Sequence, residues 1–169
     1  MQRLWAPWRV GYITKVINKQ HKGCVFCRIA KDQKDSKNFI FLRGNFCFVV
    51  LNTFPYGNGH CLILPKRHVG DIDRLTDDEI KEMMELLIRA KDLLQKTINP
   101  QGYNVGLNLG RIAGAGIPKH LHMHVVPRWS GDHNFMPVIS GTKVISQSLK
   151  AIYQLLTDAN QKRLRRVRR

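Results

Sequence analysis

The sequence has no apolar run approaching the roughly 18 residues a membrane helix requires. Arg3, Pro7 and Arg9 break the N-terminal apolar stretch before a secretory core could form. A cytoplasmic chain without a membrane partner is expected. Internal repeats, low-complexity tracts and Pro/Gly-rich linkers are also missing, so nothing divides the 169 residues into separate domains. The 43% apolar content is enough for a core. Cysteine is sparse: Cys47 and Cys61 stand alone in apolar runs, while Cys24 and Cys27 form a Cys-x-x-Cys pair. That pattern favours a metal site over a disulfide framework. Acidic residues are few, 12 against 28 Lys and Arg, leaving a formal charge of +16. Such a balance favours phosphate-bearing ligands through long-range attraction without identifying any of them.

Part of that charge is local, since Lys162, Arg163, Arg165, Arg166, Arg168 and Arg169 fall within the last eight residues. A charge run of this kind is ordinarily a solvated, frayed end. The competing readings for the basic tail are binding to RNA or to a membrane surface.

Residues 39–43 and 46–52 are β-rich runs separated by Gly44-Asn45, a two-residue turn signal that predicts a hairpin. A third run, 60–65, follows the turn-forming stretch Pro55-Tyr56-Gly57-Asn58-Gly59 and predicts another antiparallel neighbour. Thr76 and Glu79 read as a capping box, after which Ile80, Met83, Met84, Leu87, Leu94 and Ile98 recur at helical spacing up to Asn99-Pro100. This stripe is read as core packing. Two more strands are expected over 103–109 and 120–127, joined by a loop containing Gly110, Gly114 and Gly116. A last helix is expected to start near Lys143 and to carry Leu149, Ile152, Leu155 and Leu156. The aromatic segment 4–13 reads as an arm packed on the body. Hairpins with segregated helices predict an α+β domain with an antiparallel sheet of about five strands, one long helix and a C-terminal helix.

The segment His120-Leu121-His122-Met123-His124-Val125-Val126 carries the chemistry. Read as a strand, it places three imidazoles on one side and Leu121, Met123 and Val125 on the other. A lone histidine is usually a polar surface residue, but three at strict alternation with an apolar reverse face point to catalysis or metal binding. A single three-histidine metal site is disfavoured, because residues i and i+4 of a strand stand about 13 Å apart. Cys24-x-x-Cys27 supplies half of a tetrahedral zinc site, with His21, His60, His68, His133 and the triad as candidates for the rest.

Residues 120–126 match in full the His-Φ-His-Φ-His-Φ-Φ pattern of the histidine-triad family, which the chain resembles. The resemblance extends from Trp5-Ala6-Pro7-Trp8 through the cysteine pair, Gly59-His60 and Pro65-Lys66-Arg67-His68 to Pro127-Arg128-Trp129 and Asn134-Phe135-Met136-Pro137. The arm and the segment after the triad look most like the bacterial branch that includes diadenosine tetraphosphate phosphorylases. The resemblance implies a histidine-triad domain over residues 1–150, with 151–169 forming the end of the C-terminal helix and the basic tail. It implies that His122 is the nucleophile, and that Cys24, Cys27, His68 and His120 hold a structural zinc. It further implies that His60 and His124 orient or contact phosphate, that Asn52 and Asn108 contact ribose and phosphate, and that the protein is a homodimer.

A neutral imidazole can attack phosphorus without a strong base, becoming nucleotidylated before phosphate or water completes the transfer. No paired carboxylates lie near the triad, Asp132 being the nearest acid, so a two-metal phosphohydrolase fits poorly. Gly114 and Gly116 are candidates to offer backbone N–H groups to phosphate, against the reading of an ordinary loop. Relatives often place Ser or Gln just before the triad, where this chain has Gly116-Ile117-Pro118-Lys119. The expected activity is cleavage of dinucleoside polyphosphates by transfer or hydrolysis. The competing readings are a nucleoside phosphoramidase and a zinc-stabilised nucleic-acid-binding module.

Overall fold

The computed structural model describes residues 23–132 and 145–167. The aromatic arm, His21, His133, residues 134–137, Lys143 and the last two arginines lie outside them. Five strands form one antiparallel sheet: β1 (Ile40–Arg43), β2 (Cys47–Leu51), β3 (Cys61–Pro65), β4 (Gly102–Leu107) and β5 (Met123–Arg128), in the order β1-β2-β3-β5-β4. Two short helices not foreseen from the sequence, α1 (Val25–Lys31) and α2 (Asp35–Asn38), precede the sheet. Arg43 holds the end of α1, its guanidinium donating to the carbonyls of Ala30 at 2.8 Å and Asp32 at 2.7 Å. Neither helix has the apolar repeat that identifies a longer one.

Strand alternation sorts the core into two layers. Cys47, Val49, Leu51, Cys61, Ile63, Met123 and Val125 face one cluster, while Phe48, Val50, Leu62 and Leu64 face a second. The first layer is covered by α3 (Asp77–Ile98) and α4 (Leu149–Val167), the second by Phe26 and Ala30 of α1. The even-numbered histidines of the triad therefore belong to the face away from the long helix.

The capping box at Thr76 and Glu79 forms as expected. The buried stripe of α3 differs from the expected one: Met83 and Leu94 are buried, joined by Leu86, Ala90 and Leu93, while Ile80 and Met84 are exposed. The expected spacing had followed the edge of the apolar face. The hairpin connection is three residues long, with Gly44 N–H donating to Cys47 O at 2.9 Å and the Glu82 carboxylate accepting from Asn45, Phe46 and Cys47 at 2.5–2.6 Å. The C-terminal helix starts at Leu149, later than expected, because the Ser148 hydroxyl accepts from Ala151 N at 3.2 Å and the residues from 145 to 148 are not helical.

The triad segment is also shorter as a strand than its alternation predicts. Pairing with β4 stops at Leu107↔Met123, so His120-Leu121-His122 precedes β5. Leu121 N instead donates to Val69 O at 2.7 Å, and His120 N to Ile117 O at 3.2 Å. This draws the first triad histidine toward the segment that carries His68. A Cβ on Gly70 would come within 3.2 Å of the Lys119 and Pro118 backbone, which shows how closely the two segments run.

Candidate active site and metal centre

Cys24, Cys27, His68 and His120 converge from three parts of the chain, with one ligand atom from each lying within 4.8 Å of all the others. Cys24 Sγ is 3.3 Å and Cys27 Sγ 3.5 Å from His120 Nδ1, and Cys27 Sγ is 3.2 Å from His68 Nδ1. Zinc–sulfur bonds of about 2.3 Å and zinc–nitrogen bonds of about 2.0 Å require tetrahedral edges of about 3.5 Å. His120 Nε2 donates to the Pro65 carbonyl at 2.9 Å, which fixes the tautomer whose Nδ1 lone pair faces the sulfurs. Burial raises the Cys27 thiol above its ordinary value and Cys24 adds to the rise, so a Cys27 thiolate there calls for a cation. The donor set thus fits a four-coordinate zinc, with no position left open.

His122 lies two residues further on and is 7% exposed. Its Nδ1–H donates to the carbonyl of His120 at 2.8 Å, leaving the lone pair on Nε2. Burial pushes its pKa below the ordinary histidine value, against an upward pull from that hydrogen bond, and the ring is neutral at pH 7. Phe26, one of the two residues between the paired cysteines, sits 5.4 Å from both the His120 and His122 rings, centroid to centroid. The zinc pair and the candidate nucleophile therefore share one aromatic wall.

His60, just before β3, meets His124 of β5 diagonally, with His60 Nε2 3.0 Å from His124 Nδ1. Tyr56 N–H donates to His60 Nδ1 at 3.0 Å, and the Asn52 amide approaches the same atom at 3.4 Å. With Nδ1 accepting, His60 donates through Nε2 to His124 Nδ1, and His124 carries its own proton on Nε2. That nitrogen is buried and has no hydrogen-bond partner among the described residues. Burial, with a smaller contribution from His122, pushes the His124 pKa down to about 4. The His122 and His124 rings are 5.1 Å apart.

Asn52 closes the turn before His60, its Oδ1 accepting from Phe54 N at 2.9 Å. Asn108 directly follows Leu107, and His122 directly precedes Met123, at the pair where β4 and β5 part. In the intervening loop Gly114 N–H is spent on Arg111 O at 3.0 Å and Ala115 N–H on Gly110 O at 3.3 Å. Gly116 is exposed and its N–H has no backbone acceptor among the described residues. Phe26 and Tyr56 were missed as site residues. Tyr56, whose ring stacks on His60 and His124 at 4.7 and 5.6 Å, read only as turn chemistry. Position inside Cys-x-x-Cys was the available signal for Phe26.

The HIT domain family model matches residues 33–131, more than half of the chain. Over 162 residues the chain is 39% identical to the AP-4-A phosphorylase of Mycobacterium tuberculosis, covering 92% of this chain and 83% of the relative. An adenosine 5'-monophosphoramidase of Candida albicans is 30% identical over 112 residues, 64% of this chain and 72% of the relative. A Zn-bound histidine triad family protein from Mycobacterium smegmatis superposes with a TM-score of 0.66 at 24% identity, covering 83% of this chain and 94% of that one. That likeness shows a shared fold.

Proposed function

The chain belongs to the histidine-triad (HIT) family and to its AP-4-A phosphorylase branch, and on that footing we propose that it cleaves dinucleoside polyphosphates such as diadenosine tetraphosphate through a nucleotidyl group on His122. The observation that carries this reading is the 2.8 Å bond from His122 Nδ1 to the His120 carbonyl, which leaves a neutral ring with its lone pair on Nε2. In the first displacement Nε2 gives that pair to the α-phosphorus, and the bond to the bridging oxygen breaks with its electrons on the leaving group. The departing oxygen leaves as a phosphate anion that needs no proton at neutral pH, and it accepts a hydrogen bond from the Nε2–H of His124, whose other nitrogen is held by His60. In the second displacement phosphate, or water that releases a proton to solvent, attacks the same phosphorus from the side opposite His122. The phosphorus–nitrogen pair then returns to His122.

Cys24, Cys27, His68 and His120 hold zinc, which supplies a structural tie between α1 and the triad rather than a hydroxide, since all four positions are filled by protein. Gly116 is left to offer a loop N–H to phosphate, with Asn108 beside the nucleophile and Asn52 behind His60. The reading includes a cytoplasmic homodimer, supported by β4 at the sheet edge with Val105 45% exposed and by Met84 and Ile88 of α3 at 42% and 68%. Light scattering at micromolar concentration tests it; a monomer counts against the dimer. No helix among the described residues is long and apolar enough to cross a membrane.

The relationship to an adenosine 5'-monophosphoramidase keeps a second substrate class in view, because the same nucleophile serves both. The deciding experiment compares kcat/KM for diadenosine polyphosphates and adenosine phosphoramidates. With diadenosine tetraphosphate and millimolar phosphate, ADP and ATP are expected. AMP and ATP without phosphate dependence would identify a hydrolase, and preference for the phosphoramidate would overturn the dinucleotide reading.

A further inference from the structure

On the sheet face opposite the histidines, the seam between α3 and α4 contains two cations where packing calls for apolar groups. Ile152, Leu156 and Ala159 of α4 pack on the main core, and Arg163 continues their i, i+4, i+7, i+11 spacing. Arg163 is half-buried, as is Arg89 on α3. Arg89 Nε is buried and has no hydrogen-bond partner among the described residues. A guanidinium keeps its charge and five donors, so an unmet buried N–H beside a second guanidinium costs stability unless an anion is there. Burial, followed by the charge of Arg163, lowers the Arg89 pKa, so the two groups are close enough to repel.

The nearby carboxylates do not resolve this. Glu82 and Glu85 act on Arg89 from its own helix. The Glu82 carboxylate is committed to three N–H groups of the β1–β2 turn. Neither glutamate forms an ion pair with Arg89 or Arg163 among the described residues. Lys162 and Arg165 flank the seam as exposed cations, and no acidic residue follows Asp158.

We propose that Arg89 and Arg163 form a phosphate-binding site in the α3–α4 seam, separate from the nucleotide site. A phosphate group offers several acceptor oxygens and a negative charge to two guanidiniums at once. It arrives either as a free polyphosphate or as part of an RNA backbone, with Lys162 and Arg165 extending the track.

The test uses the full chain, with inorganic pyrophosphate followed by thermal shift and a fluorescent 20-nucleotide oligo-uridylate followed by anisotropy. Arg89→Met/Arg163→Leu is compared with the parent and with Arg168→Gln/Arg169→Gln, which removes the same charge from the last two residues of the sequence. The seam variant is expected to have a higher ligand-free Tm and to lose the pyrophosphate-induced rise. Diadenosine tetraphosphate turnover stays within about twofold of the parent, because no catalytic group is altered. If RNA is the ligand, its salt slope drops by about 0.7, the contribution of one phosphate contact on a single strand. Pyrophosphate binding without RNA binding identifies a free polyphosphate. A lower ligand-free Tm in the seam variant overturns the proposal, as does equal loss of binding in the tail variant or no arginine-dependent binding of either probe. These readouts do not depend on turnover, so failure of the nucleotide reading is seen separately.

Discussion

His120 and His122 are two residues apart and do different work because each has a different nitrogen committed. His120 donates through Nε2 to Pro65 O, freeing Nδ1 for the thiols, whereas His122 donates through Nδ1 and frees Nε2. Replacing His122 with Gly is therefore expected to lower turnover at least about a thousandfold while about one zinc per chain is retained. Cys24→Ala is expected to lose zinc and stability first. Metal analysis of the two purified variants separates these outcomes, and zinc loss from His122→Gly would mean that the metal is catalytic. His124 gives a pH signature. Its pKa near 4 lies below the unfolded value of about 6.5, so between these values the unfolded chain binds more protons. The neutral buried ring leaves stability intact above about pH 6.5, and up to about 3 kcal/mol is lost as the pH falls toward 4. Urea titrations of the parent and His124→Gln at several pH values should show the difference between them shrinking as pH drops. A difference independent of pH would remove His124 as the source. The donor types and their alternation could be read in the sequence. The tautomers could not, since they depend on carbonyls and amides brought in from Pro65 and Tyr56.

At the scale of elements, short-range signals were legible and long-range ones were not. Thr76 and Glu79 lie three residues apart, so their reciprocal cap follows from local geometry. Arg67 also donates to both Glu79 oxygens, at 3.0 and 2.7 Å, fastening the helix start to the end of β3 beside His68. No local rule links those positions. The β1–β2 connection shows the same limit: Gly44-Asn45 announced a turn, but its length was set by Glu82, 35 residues beyond Cys47. Of the three N–H groups that Glu82 accepts, only that of Cys47 belongs to a buried residue. Glu82→Ala is therefore expected to destabilise by about 2 kcal/mol, because water can replace the partners of Asn45 and Phe46. A Cβ on Gly44 would overlap the Glu82 carboxyl, so Gly44→Ala is expected to cost about 1–3 kcal/mol in the parent. The same change should cost less in Glu82→Ala. A denaturation cycle over the four proteins measures this coupling, and additive costs would mean that the carboxylate does not crowd the turn.

For the molecule as a whole, the two core layers have different origins and should respond differently to loss of the metal. The sheet, α3 and α4 enclose the larger cluster without any contribution from α1, whose Phe26 and Ala30 cover only the opposite face. At seven residues α1 is too short to persist alone. Its C-terminal end is tied by Arg43 to the carbonyls of Ala30 and Asp32, while its N-terminal end rests on the cysteine pair. Removing zinc should therefore release the first turn of α1 and leave the sheet folded. Phe26 would leave the His122 ring as that turn loosens, so turnover falls with zinc although no catalytic side chain has changed. Hydrogen exchange with and without a chelator tests this directly. Protection should drop over residues 24–28 and hold over 40–51 and 61–65, with far-UV circular dichroism nearly unchanged, and readdition of zinc should restore both protection and turnover. Collapse of protection across the strands would make the metal a condition of the whole fold. Unchanged protection at 24–28 after verified zinc removal would show that Arg43 and the apolar contacts hold the helix unaided.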